Sequence, residues 1–298
     1  MPARKLSLAI ATALAIACLP FAASAQDGQD DIVVTGEGAV EPNEVASLVQ
    51  QLTDTHRADR PATRFFDALC LTVTGLNAAG NAWVKNRIEA NARQVGLESQ
   101  GEGCRANAVV MIHDDPAGLA DRIAEEVPAL LPRENLAGVR SQLAAGRQAI
   151  VWHNEEDRNQ GGRRIGYQQA VAGDRGSGSS LNVVTRVNNN NWPSRSELAF
   201  SRGVVSAAMI VDGAVVEGMV IDRLADYATM RLLAPDLIPL DDAAPEPETI
   251  TAAFPEEGGA ETLTRFDRAY LTALYSLRPN APAIRLARAV AEEYAGEE

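Results

Sequence analysis

The sequence predicts an α/β or α+β fold, a single domain with a mixed sheet and flanking helices. Short apolar runs, clearest at 108–112 (AVVMI) and 149–153 (AIVWH), have the composition of buried strands and alternate with longer segments of helical periodicity. The chain has 298 residues, of which 46% are apolar and 22% charged. This composition is ordinary for a globular protein and excludes a wholly disordered, collagen-like or multi-pass membrane chain.

The N-terminal residues 1–25 have the features of a secretory signal peptide. Arg4 and Lys5 precede an apolar stretch at 6–17, which is too short to span a bilayer, and small residues precede a cleavage point after Ala25. We therefore predict a periplasmic or secreted protein without a membrane span.

An alternative for the N-terminus is a lipid anchor on Cys18, because the residues before it satisfy a loose lipobox. After the signal peptide, residues 26–42 are rich in glycine and acidic residues and are predicted to form a flexible lead. The remaining residues, 43–298, are predicted to form a single globular domain. A variant of this interpretation is two halves, 43–153 and 181–298, joined by a polar loop region.

Helices and strands are predicted along the whole domain. Helical periodicity or apolar content places helices at 43–53, 77–95, 116–131, 133–145, 219–233, 264–277 and 282–295, and strands at 65–76, 108–112, 149–153 and 181–187. The helix at 77–95 is the clearest, since Asn77 suits its N-cap and Gly96 its end. Pro128 is expected to bend or shorten the helix at 116–131.

Turn-forming residues predict the connections. The polar segments 154–180 and 188–195 are expected to be loops. Asp212-Gly213, between two apolar runs, predicts a β-hairpin over 204–216.

Export determines how the cysteines are interpreted. Without the signal peptide, Cys70 and Cys104 are an even pair in an oxidising compartment, and we predict a disulfide between them. Closing that loop would stabilise the fold by roughly 3–4 kcal/mol in the chain-entropy model. The chain contains no CxxC motif that would favour a redox or metal role.

The charge balance excludes nucleic acid as a natural partner. The formal net charge is −13, and it becomes −15 once cleavage removes Arg4 and Lys5, whereas phosphate binding needs a basic face. Motifs for zinc hydrolysis (HExxH), acyl transfer (GxSxG) and nucleotide binding are absent from the sequence. We predict no metal and no cofactor.

Two histidines are weak candidates for a general base. His113 and His153 each follow an apolar strand, and strand ends are where active sites tend to lie in α/β proteins. Asp115 and Glu155 follow them closely, so each histidine could act with a carboxylate. The alternative, which we favour, is a pair of strand-edge histidines beside solvated acidic residues.

Asp222 and Asp226 lie one turn apart on the predicted helix 219–233 and therefore share a face. Two like charges at this spacing are unfavourable unless a partner neutralises them. We expect either a structural ion pair with a buried arginine or a weakly held cation.

Three segments resemble a secreted family of uncharacterised proteins from GC-rich Gram-negative bacteria. They are 70–116, 221–235 (IDRLADYATMRLLAP) and 263–275 (LTRFDRAYLTALY). The layout is also similar to that of zincin-type metallopeptidases, in which a strand leads into the HExxH helix and a later LTxxD…LY helix packs behind it. The later segment is matched by Leu263, Thr264, Asp267, Leu274 and Tyr275.

The zincin resemblance implies a degenerate, zincin-like shell. The helix at 219–233 takes the place of the metal helix, with Asp222 and Asp226 where the two histidines belong. Neither histidine nor the glutamate is present, so the resemblance implies a fold without its zinc and no activity.

These observations favour an exported, non-catalytic binding or accessory protein whose partner is an unknown envelope protein or a small ligand. The alternative is an unfamiliar envelope hydrolase, acting on peptide or cell-wall material, with His113 or His153 as general base.

Overall fold

The computed structural model describes residues 40–53, 57–101, 103–173, 180–186, 197–238, 247–252 and 259–296. Residues Val40–Glu298 form one compact unit. The predicted signal peptide, the alternative anchor at Cys18 and the lead as far as residue 39 lie outside the described residues. The first helix begins at Pro42, the last residue of the predicted lead.

The described residues form eight helices and seven strands. The helices are α1 (Pro42–Leu52), α2 (Ala78–Gln94), α3 (Pro116–Glu126), α4 (Arg133–Ala144), α5 (Gly213–Val216), α6 (Ile221–Leu233), α7 (Arg265–Ser276) and α8 (Arg285–Gly296). The strands are β1 (Thr63–Phe65), β2 (Leu71–Thr74), β3 (Ala108–His113), β4 (Ala149–Asn159), β5 (Tyr167–Gly173), β6 (Ser180–Arg186) and β7 (Phe200–Asp212).

Strand β7 is the centre of a mixed five-stranded sheet. β4 pairs antiparallel along the length of β7. Parallel strands pair with successive parts of its other edge, β1 at 202–204 and β3 at 207–212, and β2 continues the sheet parallel to β3. The predicted single α/β domain with a mixed sheet and flanking helices is confirmed.

Helices cover both faces of the sheet, which explains why β7 is apolar at consecutive positions. Met209 and Val211 pack into the larger core with α1, α2, α6, α7 and α8. Ala208 and Ile210 point the other way, into a smaller core beneath α3 and α4.

The predicted helix boundaries follow local chemistry. The Asn77 side chain accepts a hydrogen bond from the Gly80 amide at 2.8 Å, as expected of an N-cap, and Gly96 has φ +78° after the end of α2. α3 ends at Glu126, two residues before Pro128, so the shortened form of that helix is correct.

The hairpin predicted over 204–216 is wrong. β7 runs to Asp212, whose carboxylate accepts from the Ala214 amide at 3.0 Å and caps the short helix α5. Aspartate followed by glycine suits both a tight turn and a helix start, and here β7 is already paired on both edges, which leaves no edge for a returning strand.

The loop predicted at 154–180 is also wrong over most of its described part. β4 continues to Asn159, and β5 pairs antiparallel with β6. The polar end of β4 stays in the sheet because its charged side chains are paired across it. Arg202 of β7 binds Glu155 at 2.5 Å, and Arg158 binds Asp67 at 2.7 Å.

Cys70 and Cys104 form the predicted disulfide, with their Cα atoms 6.0 Å apart. The bridge ties the start of β2 to the segment that leads into β3. Among the described residues, no helix is long and apolar enough to cross a membrane.

Candidate functional site

The parallel strands β2, β3 and β7 end at one edge of the sheet, and a cleft of about 380 Å³ lies there. We call it the carboxyl-edge cleft, and it is lined by Gly75, Leu76, Ile112, His113, Asp114, Gly213, Val216 and Glu217. Ligands of α/β proteins bind at this edge of a parallel sheet, because side chains from several strand ends converge there.

Two glycines shape the carboxyl-edge cleft. Gly75 has φ +104°, and a Cβ on it would lie 2.0 Å from the carbonyl oxygen of Ile112. A Cβ on Gly213 would lie 2.2 Å from a carboxylate oxygen of Asp114. The Asp114 carboxylate therefore rests directly against the backbone that follows β7.

The acidic side chains of the cleft are exposed, and no ion-pair partner for them lies among the described residues. Asp114 and Glu217 are solvent-exposed, and neither forms an ion pair with any residue that the structure describes. The cleft thus combines apolar walls with unneutralised negative charge.

His113 lines the cleft but is not paired with the carboxylate predicted for it. Its Nδ1 accepts a hydrogen bond from the Asp115 amide at 2.9 Å, and its Nε2 lies 3.4 Å from a guanidinium nitrogen of Arg122. The Asp115 carboxylate instead accepts from the Gly118 amide at 2.9 Å and caps α3.

His153 is held away from Glu155. Its Nε2 donates to the carbonyl oxygen of Leu232 at 3.2 Å, while Glu155 lies beyond a β-bulge and binds Arg202. Burial, and then the charge of Arg231, lower the pKa of His153 to about 4. Within the described residues, neither histidine has a hydrogen bond to a carboxylate.

Asp222 and Asp226 share an arginine partner on the neighbouring helix α2. Arg87 binds Asp226 through two nitrogens, at 2.8 and 2.7 Å, and Asp222 through a third at 3.0 Å. Asp226, only 1% exposed, also accepts from Asn91 and from the Leu263 amide. This fully bonded carboxylate fastens α6 both to α2 and to the start of α7.

Sequence reasoning missed Trp83, which lies beside this ion pair. Its indole N–H donates to Asp222 at 2.7 Å, yet 54% of the residue is exposed. Val220, at the start of α6, is also half-exposed at 51%. The tryptophan alone was no sufficient indication in the sequence, because single apolar side chains are common on protein surfaces.

The described residues contain no group of three or more His, Cys, Asp or Glu side chains placed to hold a metal ion. Comparisons with protein-family models, curated proteins and solved structures find no match to this chain. The geometry of the site is therefore the basis for the proposed function.

Proposed function

We propose that this protein is an exported, non-catalytic binding protein and that the carboxyl-edge cleft receives a positively charged ligand, either a small molecule or part of an envelope protein. The observation that carries the proposal is the pair of exposed carboxylates, Asp114 and Glu217, on the walls of a cleft at the carboxyl ends of parallel strands. The net charge of −13 also attracts positively charged ligands over longer distances.

The bonding of the histidines supports binding rather than hydrolysis. A histidine that acts as a general base commonly has a carboxylate that orients its ring. The Nδ1 of His113 accepts a hydrogen bond from the Asp115 amide, and the Nε2 of His153 donates one to the Leu232 carbonyl oxygen. The acidic residues that would complete each pair cap a helix (Asp115) and bind an arginine (Glu155).

The order of elements supports a zincin-like shell as part of this proposal. β7 leads through α5 into α6, and the segment that starts α7 hydrogen-bonds to α6 through the Leu263 amide and Asp226. The helix position that holds metal ligands in zincins is here filled by carboxylates bound to Arg87. We infer that an internal ion pair has replaced the metal.

Export is supported by two independent features. The first 25 residues have signal-peptide composition, and the Cys70–Cys104 disulfide suits an oxidising compartment.

Chemical-shift titration of the isotope-labelled protein tests the proposal. The probe is an acetylated, amidated peptide of four lysines, and the peptide of four glutamates is its negative control. We expect amides around Gly75, Asp114 and Gly213 to shift with tetralysine only. The doubly substituted variant Asp114→Asn/Glu217→Gln should bind about tenfold more weakly, since two exposed charge contacts are lost.

The matched control is Glu292→Gln/Glu293→Gln on α8, which removes the same charge from a helix that packs on α1 and α7. If both double variants weaken tetralysine binding equally, the attraction is a property of the net charge and the cleft is not the site. Absence of any shift around the cleft would also defeat the proposal.

A further inference from the structure

We infer that the ligand is an arginine-bearing extended segment of a partner protein, and that Trp83 is the platform on which a guanidinium group stacks. This inference rests on the proposed function of the carboxyl-edge cleft and extends it to the neighbouring surface of α2 and α6.

The indole of Trp83 is exposed but held in one orientation. Its N–H is 2.7 Å from an Asp222 carboxylate oxygen, and that carboxylate is itself held by Arg87 at 3.0 Å. An aromatic ring fixed in this way loses little conformational freedom on binding, as in other preorganised recognition sites.

The charge beside the ring is negative. Arg87 carries one positive charge against the two carboxylates of Asp222 and Asp226. Asp226 is buried and satisfied by four hydrogen bonds, so the surplus negative charge belongs to Asp222, whose side chain remains 29% exposed. An aromatic face next to a carboxylate that shares its single counter-charge with a second carboxylate attracts a cation through both the ring quadrupole and the surplus negative charge.

Short chain segments connect this surface to the carboxyl-edge cleft. Leu76 lines the cleft and immediately precedes the N-cap of α2, the helix that carries Trp83. On the other side, Glu217 of the cleft is followed by half-exposed Val220 and then by Asp222. Acidic groups therefore lie at two places, in the cleft and beside Trp83, and half-exposed Val220 lies between Glu217 and Asp222 along the chain.

The chemistry of this surface selects its occupant. A purely apolar partner would desolvate the carboxylates without pairing them, which is costly, and an anionic partner would be repelled. Guanidinium is favoured over ammonium because it is planar, weakly hydrated and able to stack on indole while it binds a carboxylate. Two separated acidic positions, with the exposed apolar Val220 between them in the chain, suit an extended segment with cationic and apolar residues rather than a compact cation.

The experiment compares tetra-arginine and tetralysine peptides on three forms of the full chain: wild type, Trp83→Leu and Trp83→Phe. Affinity is measured by titration calorimetry, and the site by chemical shifts. Leucine keeps apolar area without a π-face, and phenylalanine keeps a weaker face without the N–H. Tetra-arginine should bind wild type about fivefold more tightly than tetralysine, a preference of the size expected for an exposed cation–π contact.

The preference for arginine should disappear in Trp83→Leu and persist in reduced form in Trp83→Phe, while tetralysine affinity changes little. If tetralysine shifts the cleft and Trp83→Leu keeps the arginine preference, the platform inference is overturned and the proposed function stands. If neither peptide shifts the cleft amides, the proposed function itself fails. If tetra-arginine shifts the cleft but not the Trp83 indole N–H, the platform inference is likewise overturned.

Discussion

The partly buried His153 makes stability depend on pH. Its ring packs between β4 and the end of α6, where Nε2 donates to the Leu232 carbonyl and buried Arg231 supplies the neighbouring positive charge. Burial is the larger cause, and the charge of Arg231 the second, of a pKa lowered to about 4 from an ordinary value of 6.5. Both effects disfavour the imidazolium in the folded state.

The direction in which stability changes with pH follows from proton uptake. Because the folded pKa is below the unfolded pKa, the unfolded chain binds the proton first as pH falls. The contribution of neutral His153 is fully present above pH 6.5 and is lost between there and about pH 4. The full shift corresponds to about 3 kcal/mol, of which about 2 kcal/mol is lost by roughly pH 5. That is a sizeable part of the stability of an ordinary domain.

The assay is urea unfolding of wild type and His153→Gln at pH 8, 6 and 5 with the disulfide intact. Glutamine can still donate to the Leu232 carbonyl but does not titrate. We expect the difference in unfolding free energy between the two proteins to move by about 2 kcal/mol in favour of the variant between roughly pH 8 and pH 5. Other titrating groups are common to both proteins and cancel in this difference.

Parallel pH profiles of the unfolding free energy for wild type and His153→Gln would show that His153 does not cause the pH dependence. An NMR titration that gives His153 a pKa near 6.5 would show the same.

Three further predictions concern stability. Arg87→Ala leaves the Asp226 carboxylate, 1% exposed, without its counter-charge and should cost about 3–5 kcal/mol in chemical denaturation, so a loss below about 1 kcal/mol would contradict the assigned ion pair. The buried Tyr270 hydroxyl makes no hydrogen bond within the described residues, so Tyr270→Phe should change the unfolding free energy by less than about 1 kcal/mol; a larger loss would reveal an unrecognised partner. Replacing Cys70 and Cys104 together by serine should lower stability by roughly 3–4 kcal/mol, and an unchanged thermal midpoint would show that the bridge contributes nothing.

Local rules predicted much of the fold. Helix α2 begins at the capping Asn77 and ends before Gly96, and α3 stops before Pro128, because each of these effects involves residues within one or two turns. The strand composition of 108–112 and the placing of β6 were correct for the same reason.

Predictions that depended on distant partners were less successful. The sequence predicts a loop for the polar half of β4, because the pairing of this half with β7 involves residues such as Arg202, 47 residues beyond Glu155. For the candidate site, the strand-end position of His113 was apparent from its sequence context, but the exposure of Trp83 was not.

The sequence alone predicts an export peptide, and it was sufficient for the cysteine pairing, the acidic character of the protein and most helix limits, since all of these depend on composition or on neighbours along the chain. Whether each acidic side chain has a neutralising partner depends on the tertiary structure. Asp226 is a buried ion-pair residue because Arg87, 139 residues earlier, lies against it, whereas Asp114 and Glu217, at the edge of the sheet, form no ion pair with any described residue. Charge is a local property of a residue, but its neutralisation depends on which distant side chain the fold brings within about 3 Å of it.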